Sequence, residues 1–235
     1  QCADALPDVR DWFIKEFESR VSFKLEPARK VEFTKQGDVY GWQKQFNGNW
    51  FLGLFVENGR IKDIPNYQLK TGLRVVVEKF QPELRLTASQ NILLVNVKES
   101  DKDGINKILA EHGVAVENQA SVIRRASIAC PALPTCGLSL SESERVMPEV
   151  LTKLEEVLAE VGLKDEEIIF RMTGCPNGCA RPYMAEVGFV GKGPGKYQIY
   201  LGGNESSTRM NQLWKESVKM DDLGAELRPL FVRYK

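Results

Sequence analysis

Histidine is nearly absent from this 235-residue sequence, which contains a single one, His112. Histidine-containing zinc sites are therefore disfavoured, because such sites combine histidine with nearby cysteine or carboxylate ligands. His112 lies at the predicted end of a helix, away from every cysteine in the sequence. We therefore expect it to have no role as a proton donor.

The sequence also lacks a surplus of charge of either sign. Lys and Arg total 32, and Asp and Glu total 32, so composition does not indicate nucleic acid or an anionic membrane as a partner. No apolar run approaches the roughly 20 residues that cross a bilayer. The first residues, QCADALPDVRDW, lack the basic and apolar regions of a secretion signal. We expect a cytoplasmic protein.

Cysteine is scarce, with five residues in the whole sequence. An odd number of cysteines in a chain of this length argues against a secreted disulfide scaffold, so reduced thiols or metal ligands are favoured. A lone buried cysteine behaves as a small apolar residue, and this is the interpretation for Cys2.

Apolar periodicity predicts an α+β protein. Residues 8–21 have the spacing of a packing helix, and Asn58-Gly59 is typical of a hairpin turn. The same patterns predict helices over 69–80 and 102–113 and, within 83–97, a strand pair or one strand with an internal break. These elements indicate a small sandwich of helices on one side of a sheet.

A second unit follows a polar connector. Ser141 and Glu144 have the spacing of a helix capping box, Pro148 should restart that helix, and Gly162 should end it. Three short strands are predicted within 167–173, 186–191 and 197–203, followed by a terminal amphipathic helix over 221–234.

Four cysteines lie in two pairs within this second unit. Cys130 and Cys136 are separated by five residues, and Cys175 and Cys179 by three, each pair among Pro and Gly residues. A disulfide is out of place in a cytoplasmic protein. Structural zinc is a stronger alternative, but its cysteine hooks are usually C-x2-C to C-x4-C. Four thiolates on two separate loops fit a [4Fe–4S] cluster, which is the favoured interpretation.

The segments ACPALPTCGLSLSESE and RMTGCPNGCARPYMAEVGFVGKGPGKYQIYLGGN resemble the C-terminal half of the sirohaem and iron–sulfur family of sulfite and nitrite reductases. The resemblance continues upstream through GWQKQFNGNWFLGLFVENGRIKDI, LKTGL and RLTASQN. It implies a ferredoxin-like half-domain over 36–118 and a mixed α/β domain binding sirohaem and [4Fe–4S] over 119–235. Residues 1–35 would form an N-terminal helix and connector.

The resemblance also implies roles for individual residues. The cluster ligands would be Cys130, Cys136, Cys175 and Cys179, with Cys179 also the axial ligand of the sirohaem iron. Because sirohaem carries eight carboxylates, it needs a wall of basic and amide side chains. The resemblance and this requirement together give the following cofactor-binding candidates: Arg85, Thr87, Gln90, Asn91, Asn177, Gly203, Asn204 and Arg209.

The implied function is six-electron reduction of sulfite to sulfide in sulfate assimilation, with electrons from an NADPH-flavoprotein subunit or from ferredoxin. The stretch ACPALPTC favours sulfite over nitrite. In the family, the arginines and lysines that bind sulfite lie in the first half, so we expect no catalytic residue in this chain and no activity from it alone. Two alternatives stay open: a ferredoxin-dependent nitrite reductase and a non-catalytic iron–sulfur electron-transfer module.

Overall fold

The computed structural model describes residues 7–27, 29–31 and 37–235. The chain divides into two compact units, residues 1–34 and residues 35–235. No helix in these described ranges is long and apolar enough to cross a bilayer.

Among its described residues, the smaller unit contains the helix α1 (Pro7–Arg20), close to the predicted 8–21. Its predicted packing stripe is not buried, since Trp12 and Phe13 are 61% and 60% exposed. The half-buried Phe17 contacts the rings of Phe13 and Phe23, with centroids 6.4 and 6.0 Å apart. Phe13, Phe17 and Phe23 therefore pack on one another, and the predicted burial of the apolar side of this helix was wrong.

The first part of the larger unit is a four-stranded antiparallel sheet with two helices and a short two-stranded ribbon. Its elements in chain order are β1 (Gly41–Lys44), β2 (Trp50–Leu54), β3 (Asp63–Ile64), β4 (Tyr67–Gln68), α2 (Leu69–Phe80), β5 (Glu83–Leu86), β6 (Ile92–Val97) and α3 (Lys102–Glu111). The sheet order is β1-β2-β6-β5, and β3 pairs with β4.

Helices α2 and α3 share one apolar core with this sheet. Leu73 and Val76 of α2 and Leu109 of α3 lie in the same buried cluster as Leu52 and Leu94 of the central strands. Burial of these side chains stabilises the sandwich by removing apolar surface from water. The predicted helices and the strand pair within 83–97 are confirmed.

The second part is a five-stranded sheet with α5 and α6 packed on it. Its elements are α4 (Val122–Ala126), β7 (Ile128–Ala129), α5 (Met147–Glu160), β8 (Phe170–Thr173), β9 (Val187–Gly193), β10 (Lys196–Leu201), β11 (Gln212–Lys219) and α6 (Leu223–Tyr234). The order is β11-β10-β9-β8-β7, with β7, β8 and β9 parallel and the other two pairings antiparallel.

The core of this second sheet lies on the face that α5 and α6 cover. Phe170 and Met172 of β8 share a buried cluster with Leu154 of α5 and Phe231 of α6. Because side chains alternate along a strand, Arg171 points to the opposite face of the sheet. That face is therefore available to the loops that follow the strands.

Two local predictions were wrong. Asn58 and Gly59 have the positive φ expected of a turn, 50° and 73°, but they lie in a 3₁₀ turn and not in a hairpin. Strand β2 pairs instead with β1, across a turn in which Gly48 N donates to Gln45 O. The 58–59 turn therefore redirects the chain without pairing the strand before it.

The predicted capping box was also wrong, because α5 begins later, at Met147. Ser141 Oγ donates to the carbonyls of Gly193 and Lys196, and Glu144 forms an ion pair with Arg60. Tertiary partners have replaced the local ones. Pro148 is the second residue of α5, where the backbone N–H that proline lacks would have no partner within the helix.

Candidate functional site

The topology brings the two cysteine pairs together. The first cysteine loop, residues 130–136, follows β7, and the second cysteine loop, residues 175–179, follows β8. These strands are parallel neighbours, so their carboxyl ends meet at one edge of the sheet. Ligand sites in sheets with parallel strands are commonly built at that edge.

Hydrogen bonds join the first cysteine loop to the residues that lead into the second. Gly174 N donates to Cys130 Sγ at 3.3 Å, and Cys130 N donates to Met172 O at 3.2 Å. Leu140 N and Ser141 N both donate to Gly174 O, at 2.8 and 2.9 Å. The segment that leads into the second loop therefore lies against the first loop and the chain that follows it.

Gly174 is required by this close approach. A Cβ atom at this position would lie 2.5 Å from Ser141 O and 2.7 Å from Ala132 Cβ, and closer still to Ser139 Oγ. Contacts below 3.0 Å are too short for a real side chain, and the first of these atoms is backbone. The absence of a side chain at Gly174 thus allows its N–H to reach the sulfur of Cys130.

The four paired cysteines are free thiols that differ in exposure. Cys130 and Cys175 are both 8% exposed, Cys136 is half-buried, and Cys179 is exposed. Burial raises the pKa of the Cys130 thiol, while hydrogen bonds from the backbone of Gly174 and the side chain of Ser143 oppose the rise. Cys130 therefore needs a positive partner, such as a metal, to be a stable thiolate.

The second cysteine loop is a tight turn that leaves Cys179 at the surface. Gly178 has φ 67° and donates its N–H to Cys175 O at 3.4 Å. Thr173 Oγ1 donates to the same carbonyl at 2.7 Å, and Tyr183 OH donates to Pro176 O at 3.1 Å. Side chains from before and after the loop thus stabilise this turn.

In the described ranges, no group of three or more His, Cys, Asp or Glu side chains has the geometry to bind a metal ion. A single zinc ion would need its ligands within about 2.0–2.3 Å of one point. A four-iron cluster takes one thiolate at each corner of a larger body.

The RLTASQN segment lies at the junction of the two sheets. Gln90 donates to Ala129 O at 2.8 Å and accepts from Ala129 N at 3.0 Å, so its amide pairs with β7. Asn91 accepts from Val56 N at 2.8 Å and donates to Asp38 and to Tyr40 OH. These two amides, predicted to contact the macrocycle, have protein partners.

Thr87 and Arg85 differ in their surroundings. Thr87 Oγ1 donates to Asp38 and accepts from Asn91 N at 3.1 Å, which fixes the turn of this segment. Arg85 lies on the edge strand β5, with its side chain 63% exposed and a long contact of 3.4 Å to Glu83. Of the four predicted residues in this segment, Arg85 alone has a largely exposed side chain.

The other predicted contacts lie on two loops. Asn177 is exposed at the tip of the second cysteine loop. Asn204 accepts from Thr208 N and Arg209 N, at 2.8 and 2.9 Å, and thereby folds the loop after β10. Arg209 donates to the carbonyls of Gly202 and Gly203, and Gly203 packs so tightly on Ala185 O that no Cβ fits. Asn204 and Arg209 therefore shape this loop.

An open cavity of about 510 Å³ connects the first cysteine loop to the RLTASQN segment. Pro131 and Thr135 line it from the loop, and Thr87 and Gln90 from the segment. The ion pair of Arg60 with the buried Glu144 closes one wall. A segment predicted to hold the cluster and one predicted to contact sirohaem thus line the same cavity.

Sequence reasoning missed Arg171 and Arg181. Arg171 is 7% exposed, and its Nε has no hydrogen-bond partner. Burial, with a smaller effect from Arg181, lowers the pKa of Arg171 to about 10. The available signal was a cation inside the apolar strand FRMT, immediately before the second cysteine loop.

His112 lies at the end of α3, where its Nδ1 is 2.7 Å from Ile108 O and its ring packs on Gly72 of α2. These contacts are within the first sandwich. The absence of a role as proton donor stays a prediction.

Residues 43–112 match the family described as the nitrite/sulfite reductase ferredoxin-like half domain. The NADPH sulfite reductase hemoprotein beta-component of Staphylococcus saprophyticus is 46% identical over 224 residues, which are 95% of this chain and 39% of that protein. The chain belongs to the nitrite and sulfite reductase family. The corresponding component of Bacillus subtilis is 44% identical over 94% of this chain and 38% of its own length.

The family assignment confirms the predicted α+β fold with a ferredoxin-like half-domain. The solved structure of the NirA protein of Mycobacterium tuberculosis has the same fold, with a TM-score of 0.74 over 97% of this chain and 44% of that one, at 22% identity. This chain spans about two-fifths of the length of the curated relatives. The boundaries predicted at residues 35 and 118 stay predictions.

Proposed function

We propose that this chain is the cofactor-binding part of an assimilatory sulfite reductase hemoprotein, which reduces sulfite to sulfide with the rest of its polypeptide. One observation carries the proposal: two cysteine loops meet at one sheet edge, with an N–H donor on a sulfur. High identity to sulfite reductase hemoproteins supports this substrate over nitrite.

The residues present fit the two cofactors. Cys130, Cys136, Cys175 and Cys179 would hold a [4Fe–4S] cluster, whose sulfurs are stabilised by backbone donors such as Gly174 N. Cys179 is the exposed member and would also ligate the iron of sirohaem. When bound, the coupled cofactors would supply the electrons and the iron at which sulfite is reduced.

The chain's own contribution is to hold and shield these groups. The buried positions of Cys130 and Cys175 would keep water from the inner side of the cluster, while the turn at Gly178 presents Cys179 outward. The cationic residues that bind sulfite would come from the remainder of the polypeptide. The electron donor would be an NADPH-flavoprotein subunit, which the word NADPH in the relatives' names supports over ferredoxin. The location would be cytoplasmic.

An optical spectrum, iron and labile-sulfide analysis, and a turnover assay on the complete, anaerobically purified polypeptide test this proposal. We expect tetrapyrrole absorption, about four irons with four labile sulfides per cluster, and faster turnover of sulfite than of nitrite. A preference for nitrite would support the ferredoxin-dependent nitrite reductase. Iron and sulfide without a tetrapyrrole would indicate an electron-transfer module, and a colourless protein containing zinc would overturn the cluster itself.

A further inference from the structure

Arg171 is a cation on the non-helical face of the second sheet. Its neighbours on β8, Phe170 and Met172, point into the apolar core, so Arg171 and Thr173 point to the opposite face, where Thr173 Oγ1 donates to Cys175 O of the second cysteine loop. Arg171 is nevertheless 7% exposed. A guanidinium so placed is rare without an acidic partner.

The hydrogen bonds of Arg171 involve neutral groups alone. Nη1 donates to the carbonyl of Arg181 at 3.3 Å, Nη2 donates to Ser207 Oγ at 3.4 Å, and Nε is buried without a partner. Within residues 37–235, no acidic side chain forms an ion pair with Arg171 or Arg181. Both contacts of Arg171 are also long for hydrogen bonds.

Arg181 adds a second uncompensated charge. It follows the second cysteine loop, and its Nη2 donates to Ala88 O of the RLTASQN segment at 2.8 Å. Ser207 belongs to the loop that Asn204 and Arg209 shape. The two arginines therefore lie where three segments with predicted sirohaem contacts meet.

The buried Arg171, beside a second cation and without an acid, is costly to keep folded. Taking a charge out of water costs several kcal/mol unless an opposite charge compensates it, and like charges add to the cost. A carboxylate is the matching group, because its two oxygens accept paired N–H donors of a guanidinium. The partly buried Glu186 accepts from Ile169 N and interacts with Arg209, so it is not a partner of either arginine.

We propose that Arg171 and Arg181 together bind a carboxylate, and that this carboxylate belongs to the tetrapyrrole. The inference rests on the proposed function and gives a role to two residues of the RMTGCPNGCARPYM segment that had none in the sequence analysis. A carboxylate could also come from an acidic side chain elsewhere in the polypeptide, and the experiment distinguishes these sources.

The test compares Arg171→Met and Arg181→Met in the complete polypeptide, each produced with and without sirohaem. With sirohaem, we expect either variant to weaken retention of the tetrapyrrole about tenfold or more, as measured by absorbance per protein during dilution. Iron and labile sulfide should be kept. Without sirohaem, Arg171→Met should melt at the same or a higher temperature than the unsubstituted protein, because a buried uncompensated charge is gone.

Arg228→Met is the matched control, since Arg228 is an exposed arginine on α6 that pairs with Glu160. It should change neither measurement. Arg181 is exposed, so its variant keeps the test informative if Arg171→Met does not fold. If Arg181→Met retained the tetrapyrrole normally, and Arg171→Met did so too where it folds, the inference would be overturned. Equal destabilisation with and without sirohaem would assign the carboxylate to the polypeptide and also overturn it. An unsubstituted protein without any tetrapyrrole would instead refute the proposed function.

Discussion

At the scale of single residues, Gly174 decides whether the two cysteine loops can touch. Gly174→Ala would place a methyl group within 2.7 Å of Ala132 Cβ and against the backbone at Ser141. We expect a loss of about 1–3 kcal/mol in the free energy of unfolding, as for other overpacked sites. Cluster content should also fall, because the N–H donor moves away from Cys130 Sγ. Chemical denaturation and labile-sulfide analysis measure both effects.

Gly137→Ala is the control for this substitution. Gly137 follows the first cysteine loop, and a Cβ there meets no atom within 4 Å. Normal stability and sulfide content are expected. If both alanine variants behaved alike, the close approach at Gly174 would not matter.

Glu186 should give the stability a measurable pH dependence. Burial raises the pKa of its carboxyl above the ordinary 4.5, partly opposed by the Ile169 N–H. The folded state therefore favours the protonated form, and the resulting stabilisation is full below the unfolded pKa and lost as pH rises through the folded pKa. Relative to Glu186→Gln, the native chain should lose stability as the pH rises from the ordinary 4.5 through the raised pKa of this carboxyl. Urea denaturation at several pH values measures this loss. A difference in unfolding free energy between the native chain and Glu186→Gln that did not change with pH would contradict the prediction.

Sequence reasoning found the residues that stand out by their spacing. It missed residues whose importance depends on which side chains surround them in the fold. The four cysteines stand out because their pairs lie among Pro and Gly. Arg171 does not, because no pattern in FRMT tells which neighbours a strand will have. Asn91 was identified from its motif, but its hydrogen bonds with Val56 N and Asp38 could not be predicted from the sequence, and its predicted cofactor contact stays a prediction.

At the scale of elements, Gln90 joins the two sheets as a substitute strand partner. Its amide makes two hydrogen bonds with Ala129 of β7, in the manner of a paired backbone. Gln90→Glu would replace the donor to Ala129 O by an oxygen and leave that carbonyl without its partner. We expect a loss of about 1–3 kcal/mol in stability, measured by denaturation. Gln43→Glu on exposed β1 is the control, and an equal effect there would contradict the assigned role.

Elements with strong periodicity were predictable, and those defined by tertiary contacts were not. The helix over 69–80 was confirmed, because the apolar residues that predicted it are the ones that pack on the sheet. The two-residue strand β7 was missed because its length carries no pattern, and so was the largely exposed strand β11. The capping box failed because Ser141 and Glu144 find partners distant in sequence.

At the scale of the whole molecule, the parallel pairing of β7 and β8 explains why two distant sequence segments form one site. The helix α5 lies between these strands in the chain, so 38 residues separate the two cysteine pairs. A crossover connection of this kind returns the chain to the same sheet edge. The convergence of the loops is therefore a consequence of topology, which spacing alone could not predict.

This arrangement predicts that the paired cysteines are not equivalent. Cys175→Ser removes a buried thiol next to the loop junction, so cluster assembly should fail and labile sulfide should be lost. Cys179→Ser alters the exposed thiol, so both the cluster and the tetrapyrrole spectrum should change if that sulfur ligates the two cofactors. Absorbance and electron paramagnetic resonance of the complete polypeptide measure both. Cys2→Ser, outside the described residues, is the control and should leave both spectra unchanged. If Cys179→Ser left the tetrapyrrole bands of the unsubstituted protein intact, the shared ligand would be a different residue, and the turn at Gly178 would serve the cluster alone.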